Sequence, residues 1–224
     1  MMRSSILLGY CLLLNFSAVC LGARAQTLWP CKSYYKGCSH LPDIICKGVE
    51  DAASKDRRMP ASLLRLHFHD CFVNGCDASI LLNGTNSEQQ ALPNLNSIRG
   101  LEVIGNIKKD LVKKCPHTPV SCSDIIAAAA YCAVAMSTEA SLRRYVRQPL
   151  CGRLDGFNSS KAAAEKALPS PFESLAQIKA KFSAVGLKDD KDMVVLSASM
   201  IKMGNIGMPA GKKGQIRDDC SKVK

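Results

Sequence analysis

The chain has 224 residues, 47% of them hydrophobic and 22% charged, with a formal net charge of +11 at neutral pH. This composition excludes a disordered polyelectrolyte, which has too little apolar material to bury, and a protein built of membrane spans, which needs uninterrupted apolar runs of about 18 residues or more. The basic balance raises nucleic acid as a partner.

The N-terminus lowers that expectation. Arg3 precedes an apolar run from Ile6 to Leu14, and Ala23-Arg24-Ala25 fits a small-residue cleavage site before Gln26. The run is too short and interrupted to span a bilayer. Residues 1–25 therefore read as a secretory signal and 26–224 as one domain, which makes the protein secreted and extracellular. Cleavage removes Arg3 and Arg24, and the charge goes from +11 to +9. No nucleic acid and no membrane partner is then expected, and the charge suits an anionic extracellular polysaccharide or simple solubility.

Helices dominate the rest. Residues 41–53 carry Leu41, Ile44, Ile45, Val49 and Ala52 at helical spacing, and a second helix is predicted over 61–72, after Pro60. A third spans 99–112, with Leu101, Val103, Ile104, Ile107 and Leu111 on one face. Ser121, Ser123 and Asp124 before Ile125-Ile126-Ala127-Ala128-Ala129-Ala130 predict a capped, buried fourth helix. Beyond Pro169 and Pro171 a fifth covers 174–185 and ends at Gly186, and a sixth covers 189–196. From Ala198 onward, glycines at 204, 207, 211 and 214 predict loop, with 199–203 helical. With no alternating run long enough for a sheet, the class is all-α.

Ten of the twelve cysteines remain after Cys11 and Cys20 leave with the signal. An even number in an exported chain argues for disulfides, and no CxxC pair suggests zinc. Asn83-Gly84-Thr85 and Asn158-Ser159-Ser160 are acceptor sequons for glycosylation.

The richest stretch is Arg65-Leu66-His67-Phe68-His69-Asp70-Cys71-Phe72-Val73-Asn74-Gly75-Cys76-Asp77-Ala78-Ser79. On a helix Arg65 and His69 are i and i+4 and share a face with Phe68 beside them. An imidazole next to a fixed cation suits acid-base chemistry on a small polar substrate. His67 would face away and reads as structural; His40 and His117, beside a turn and a proline, read as surface. After His69, the oxygens of Asp70, Asp77 and Ser79 and the carbonyls of Val73 and Gly75 suit a calcium ion, a hard cation taking six to eight oxygens.

These residues closely resemble the secreted plant haem peroxidases (class III), from about Cys38 to Leu196 and again through the C-terminal segment to Arg217. The resemblance implies a helical fold with haem b in a crevice between a distal and a proximal half. It implies reduction of hydrogen peroxide with oxidation of phenolic donors, in peroxide catabolism and oxidative stress response, by a monomer. By the same resemblance His69 is the distal acid-base residue and Arg65 stabilises the developing charge. Phe68 lines the pocket, Asn94 fixes the His69 tautomer, and Pro169 sits where aromatic donors dock. One distal calcium would be held by Asp70, Val73, Gly75, Asp77 and Ser79, with Glu88 reaching it through water. Cys38–Cys115, Cys71–Cys76 and Cys122–Cys220 are the implied bridges; Cys31, Cys46, Cys132 and Cys151 have no counterpart, and a native bridge, an intermolecular bridge and misfolding stay open for them.

The chain departs from the family after Val194-Val195-Leu196-Ser197, where a Gly-Ala-His-Thr type motif normally supplies the proximal ligand to haem iron. Here Ala198-Ser199-Met200 follows. The expectation is a shortened form that keeps the distal half, lacks most of the proximal half, joins near 197–199 and has no proximal haem ligand. Two alternatives stand beside an active peroxidase: a non-catalytic secreted calcium-binding helical protein, and a non-productive splice or gene-model product.

Overall fold

The computed structural model describes residues 28–141, 149–188, 203–204, 206–207 and 213–224. The expected signal at 1–25, the helix at 189–196, the junction near 197–199 and Met200 lie outside the described residues. Of the expected helix at 199–203 only Met203 is described, and it is helical.

The described residues form helices α1 (Cys31–Tyr34), α2 (Leu41–Lys55), α3 (Met59–Phe72), α4 (Leu101–Lys114), α5 (Cys122–Ser137), α6 (Lys161–Ala167) and α7 (Leu175–Ala184). Strands β1 (Trp29–Pro30) and β2 (Leu150–Cys151) pair antiparallel, with Trp29 opposite Cys151. The class is all-α; the two-residue strands and α1 are too short to leave a periodic signal.

Three helix starts differ from expectation for local reasons. Helix α3 begins at Met59, because Pro60 in a first turn removes an N–H that has no helical partner anyway. Helix α4 starts at Leu101 because Gly100 is left-handed, with φ +89°. Helix α7 begins at Leu175, as Ser174 stands outside it in a reciprocal cap with Gln177.

Helix α5 is the centre. Apolar around most of its circumference, it is buried from Cys122 to Ala130 and packs against α2, α3 and α4. Ser121 caps it, its hydroxyl accepting from the Asp124 N–H at 3.3 Å. Ile45, Val49, Leu63, Leu66, Ile104, Ile107, Ile125 and Ile126 form the main core. A second apolar cluster, with Phe72, Val73, Leu168, Phe182 and Met203, joins the end of α3 to α6 and α7.

Five disulfides fasten this frame. Besides Cys38–Cys115, Cys71–Cys76 and Cys122–Cys220, the structure pairs Cys31 with Cys151 and Cys46 with Cys132. The four cysteines that the family pattern left without counterparts therefore close two intramolecular bridges. One joins the start of α1 to β2 and the other joins α2 to α5.

Candidate active site and cation site

Arg65 and His69 occupy one face of α3, as their spacing dictates. Asn94 reaches them from the loop after the short 3₁₀ turn Glu88–Gln90. Its amide donates to the Glu88 carbonyl at 2.8 Å, which leaves Oδ1 facing His69 Nδ1, 2.5 Å away. Nδ1 therefore carries the ring proton and donates it, and Nε2 keeps its lone pair. That lone pair accepts from Arg65 Nε at 3.2 Å.

The rest of the guanidinium is tied down: NH1 donates to the Ser97 carbonyl and NH2 to the Pro93 carbonyl, both at 2.8 Å. Ser97 and Pro93 are site residues that the sequence reading missed, since they contribute mainly backbone oxygens and carry no motif. Burial pushes the His69 imidazole down to about 4; the Asn94 hydrogen bond partly offsets this and Arg65 adds to it. At neutral pH the ring is an uncharged base beside a fixed cation.

Phe68 packs edge-on to His69 and against Phe72 and Phe182. Pro169 is half-buried in the connection between α6 and α7, next to Leu168 of the second cluster. An open cleft of about 550 Å³ elsewhere is lined by Asn83 and Asn158, the sequon asparagines, both exposed. Arg65, His69 and Asn94 do not line it.

The turn after α3 is folded for close oxygen packing. Asn74, Gly75 and Ala78 all have left-handed φ, at 66°, 91° and 57°. Asp70, Val73, Gly75, Asp77, Ser79 and Glu88 are buried. Among the described residues, buried side-chain oxygens without a hydrogen-bond partner gather on Asp70, Ser79, Ser87 and Glu88. Burial, then the charges of Asp77 and Glu88, raises the Asp70 carboxyl well above its ordinary range. Burial raises Glu88 to about 8; nearby Ser79 opposes that shift and the Asp77 charge adds to it. Carboxylates buried this close together with so few donors are costly, by roughly 1–3 kcal/mol for each hydrogen bond left unmade, unless a cation arrives. The donor set is all oxygen, and it fits calcium.

The remaining histidines sit elsewhere. His67 is fully enclosed with Nδ1 3.5 Å from Cys71 Sγ. The His67, Cys71 and Cys76 trio is not a metal site here, because the two sulfurs are bonded to each other. His40 and His117 are exposed. The haem that the resemblance implies would need a protein ligand to its iron. The chain has four histidines; one is committed to Asn94 and Arg65, one is enclosed beside a disulfide and two are on the surface. Arg65, His69 and Asn94 would suit the acid-base side of such a site, and the histidines present leave none placed to hold the iron.

A family model described as peroxidase matches residues 45–201. Peroxidase N of Armoracia rusticana is 46% identical over 199 residues, covering 88% of this chain and 58% of that protein. Peroxidase 10 of Arabidopsis thaliana is 51% identical over 169 residues, covering 74% of this chain and 46% of that protein. Peroxidase 4 of Vitis vinifera is 48% identical over 169 residues, covering 74% and 50%. The chain spans about half the length of these relatives.

Proposed function

The chain belongs to the peroxidase family, and from that membership we propose that its Arg65, His69 and Asn94 serve the reduction of hydrogen peroxide coupled to oxidation of phenolic donors. The observation that carries the proposal is the Asn94 clamp. With its amide oxygen 2.5 Å from Nδ1, it holds His69 in the one tautomer whose Nε2 can take a proton.

In this reading Nε2 accepts the proton of peroxide's inner oxygen and returns it to the outer oxygen, which leaves as water. Such positioned transfer is worth about 10² to 10⁴ in rate. Arg65 stabilises the charge on the departing oxygen, Phe68 lines the approach, and Pro169 stands near the entry of aromatic donors. The two electrons that O–O cleavage requires would come from haem, were it held beside these residues. Asp70, Val73, Gly75, Asp77 and Ser79 hold one calcium, with Glu88 behind them, and the ion fixes the end of α3 that carries His69.

A second reading has its own observation. All four histidines are accounted for without an iron ligand, whereas the clustered buried carboxyls of Asp70, Asp77 and Glu88 call for a cation whether or not haem is present. A calcium-stabilised secreted protein without turnover satisfies both facts. Five disulfides support an oxidising, extracellular setting, where the basic charge suits anionic wall polysaccharide. Among the described residues no helix is long and apolar enough to cross a membrane.

Reconstitution with haem separates the readings. A Soret band together with peroxide-dependent oxidation of guaiacol, lost in His69→Ala, supports the peroxidase. No Soret band, with calcium still raising the melting temperature, leaves the second reading.

A further inference from the structure

We propose that the C-terminal segment is the outer wall of the calcium loop, with Arg217 a positioning residue that sets cation affinity and Cys122–Cys220 the anchor that holds it in place. This rests on the calcium reading of the Asp70–Glu88 cluster and deepens it.

Arg217 is 0% exposed. A buried guanidinium is costly unless its donors are matched; Nε has only the Asp155 carboxylate 3.8 Å away, and two of the three carbonyls that the terminal nitrogens bond belong to the cation loop. NH2 donates to the Asp77 carbonyl at 3.2 Å and to the Ala78 carbonyl at 2.7 Å. NH1 donates to the Cys220 carbonyl at 2.6 Å. The loop is gripped from outside by a residue some 140 positions away along the chain. Ala78, like Asn74 in the same loop, is in the left-handed region without being glycine, a conformation that persists for alanine where surrounding contacts over-determine it.

The grip has a second point. The Gly156 N–H donates to the same Asp77 carbonyl at 2.7 Å, and a Cβ at position 156 would lie 2.3 Å from Asp77 Oδ2. Asp155, the neighbour of Gly156, ties this wall together. Its backbone exchanges hydrogen bonds with Gln215 at 2.7 and 2.9 Å, and its carboxylate accepts from the Arg217 and Ser123 N–H groups, each at 2.9 Å. Ser123 belongs to α5, and the Cys122–Cys220 bridge fastens the segment to that same helix end. The backbone of Asp77 is thus fixed before any ion binds.

A loop held in its binding conformation loses less ordering entropy when the ligand arrives. Residues that orient metal ligands from behind typically change affinity by about 10- to 100-fold. If Arg217 were only a core ion pair with Asp155, its loss would lower stability and leave calcium affinity alone.

Calorimetric titration of Ca²⁺ into the chelator-stripped chain, well below its melting temperature, tests this. Arg217→Lys keeps the charge and loses the planar fork, and calcium should bind it at least about tenfold more weakly. Cys122→Ser/Cys220→Ser leaves Arg217 in place but releases its segment and should weaken binding in the same direction; it carries the test if the Arg217 variant does not fold. Gly48→Ala, a packing change between α2 and α4, should lower stability without altering affinity. An affinity within about twofold of the unsubstituted chain in Arg217→Lys or the double serine variant, or an equal loss in Gly48→Ala, overturns the inference. If the unsubstituted chain takes up no calcium, it is the underlying calcium reading that fails.

Discussion

His69 shows how one hydrogen bond decides what a residue can do. Its Nδ1 partner is an amide oxygen, which fixes the tautomer without adding charge, and burial does the rest by keeping the ring neutral. Asn94→Asp should raise the His69 pKa, because a carboxylate favours the imidazolium; NMR titration of the ring nitrogens reads this directly. His67 makes a different prediction. Burial, and secondarily Arg153, push its imidazole down to about 3 from an ordinary 6.5. The unfolded chain therefore takes up a proton below pH 6.5 that the folded chain refuses until about pH 3. The stability His67 contributes is complete above pH 6.5 and is lost as pH falls toward 3, at up to about 1.4 kcal/mol per pH unit. Denaturant unfolding between pH 6.5 and 4 should show a shallower pH dependence in His67→Gln than in the parent. That Arg65 and His69 share a face was legible from an i, i+4 spacing. That Pro93 and Ser97 hold Arg65 was not, since a backbone carbonyl carries no signature of residue type.

At the scale of elements, helix contacts rest on small residues and on bridges. Gly48 of α2 lies against Ile107 of α4, and an added Cβ would meet Ile107 Cγ1 at 2.5 Å. Gly48→Ala gains helix propensity but overpacks a full core, and a net loss of about 1–3 kcal/mol is expected in chemical denaturation. Cys46–Cys132 joins α2 to α5 across 86 residues of sequence. Replacing both cysteines by serine should cost about 2–5 kcal/mol and lower the melting temperature. The helices themselves were readable, because α2 and α4 keep apolar residues in step with 3.6 residues per turn and α5 is a capped, continuous apolar run. Their starts were less so: Pro60 inside a first turn and left-handed Gly100 shift a boundary without disturbing that period.

For the whole molecule, the largest unbalanced feature is the buried oxygen cluster at the end of α3. Stripping calcium should lower the melting temperature, and re-adding it should raise the temperature with the logarithm of calcium concentration, as for any ligand bound only by the folded chain. Differential scanning calorimetry with and without chelator checks this, and a melting temperature indifferent to calcium would remove the cation from the account. The sequence by itself determined the helical class, the pairing of Arg65 with His69 on one face of α3 and the oxygen-rich turn after it, because each is written in residues a few positions apart. It also determined that no histidine follows position 117 to reach a haem iron from the far side. Only the tertiary structure decided how Cys31, Cys46, Cys132 and Cys151 pair, that Asp124 is matched by Arg153 at 2.9 Å, and that Arg217 closes over Asp77 and Ala78. Those contacts join residues 29 to 140 positions apart, and which of them form depends on how the helices pack against one another, a property that no local pattern along the chain records.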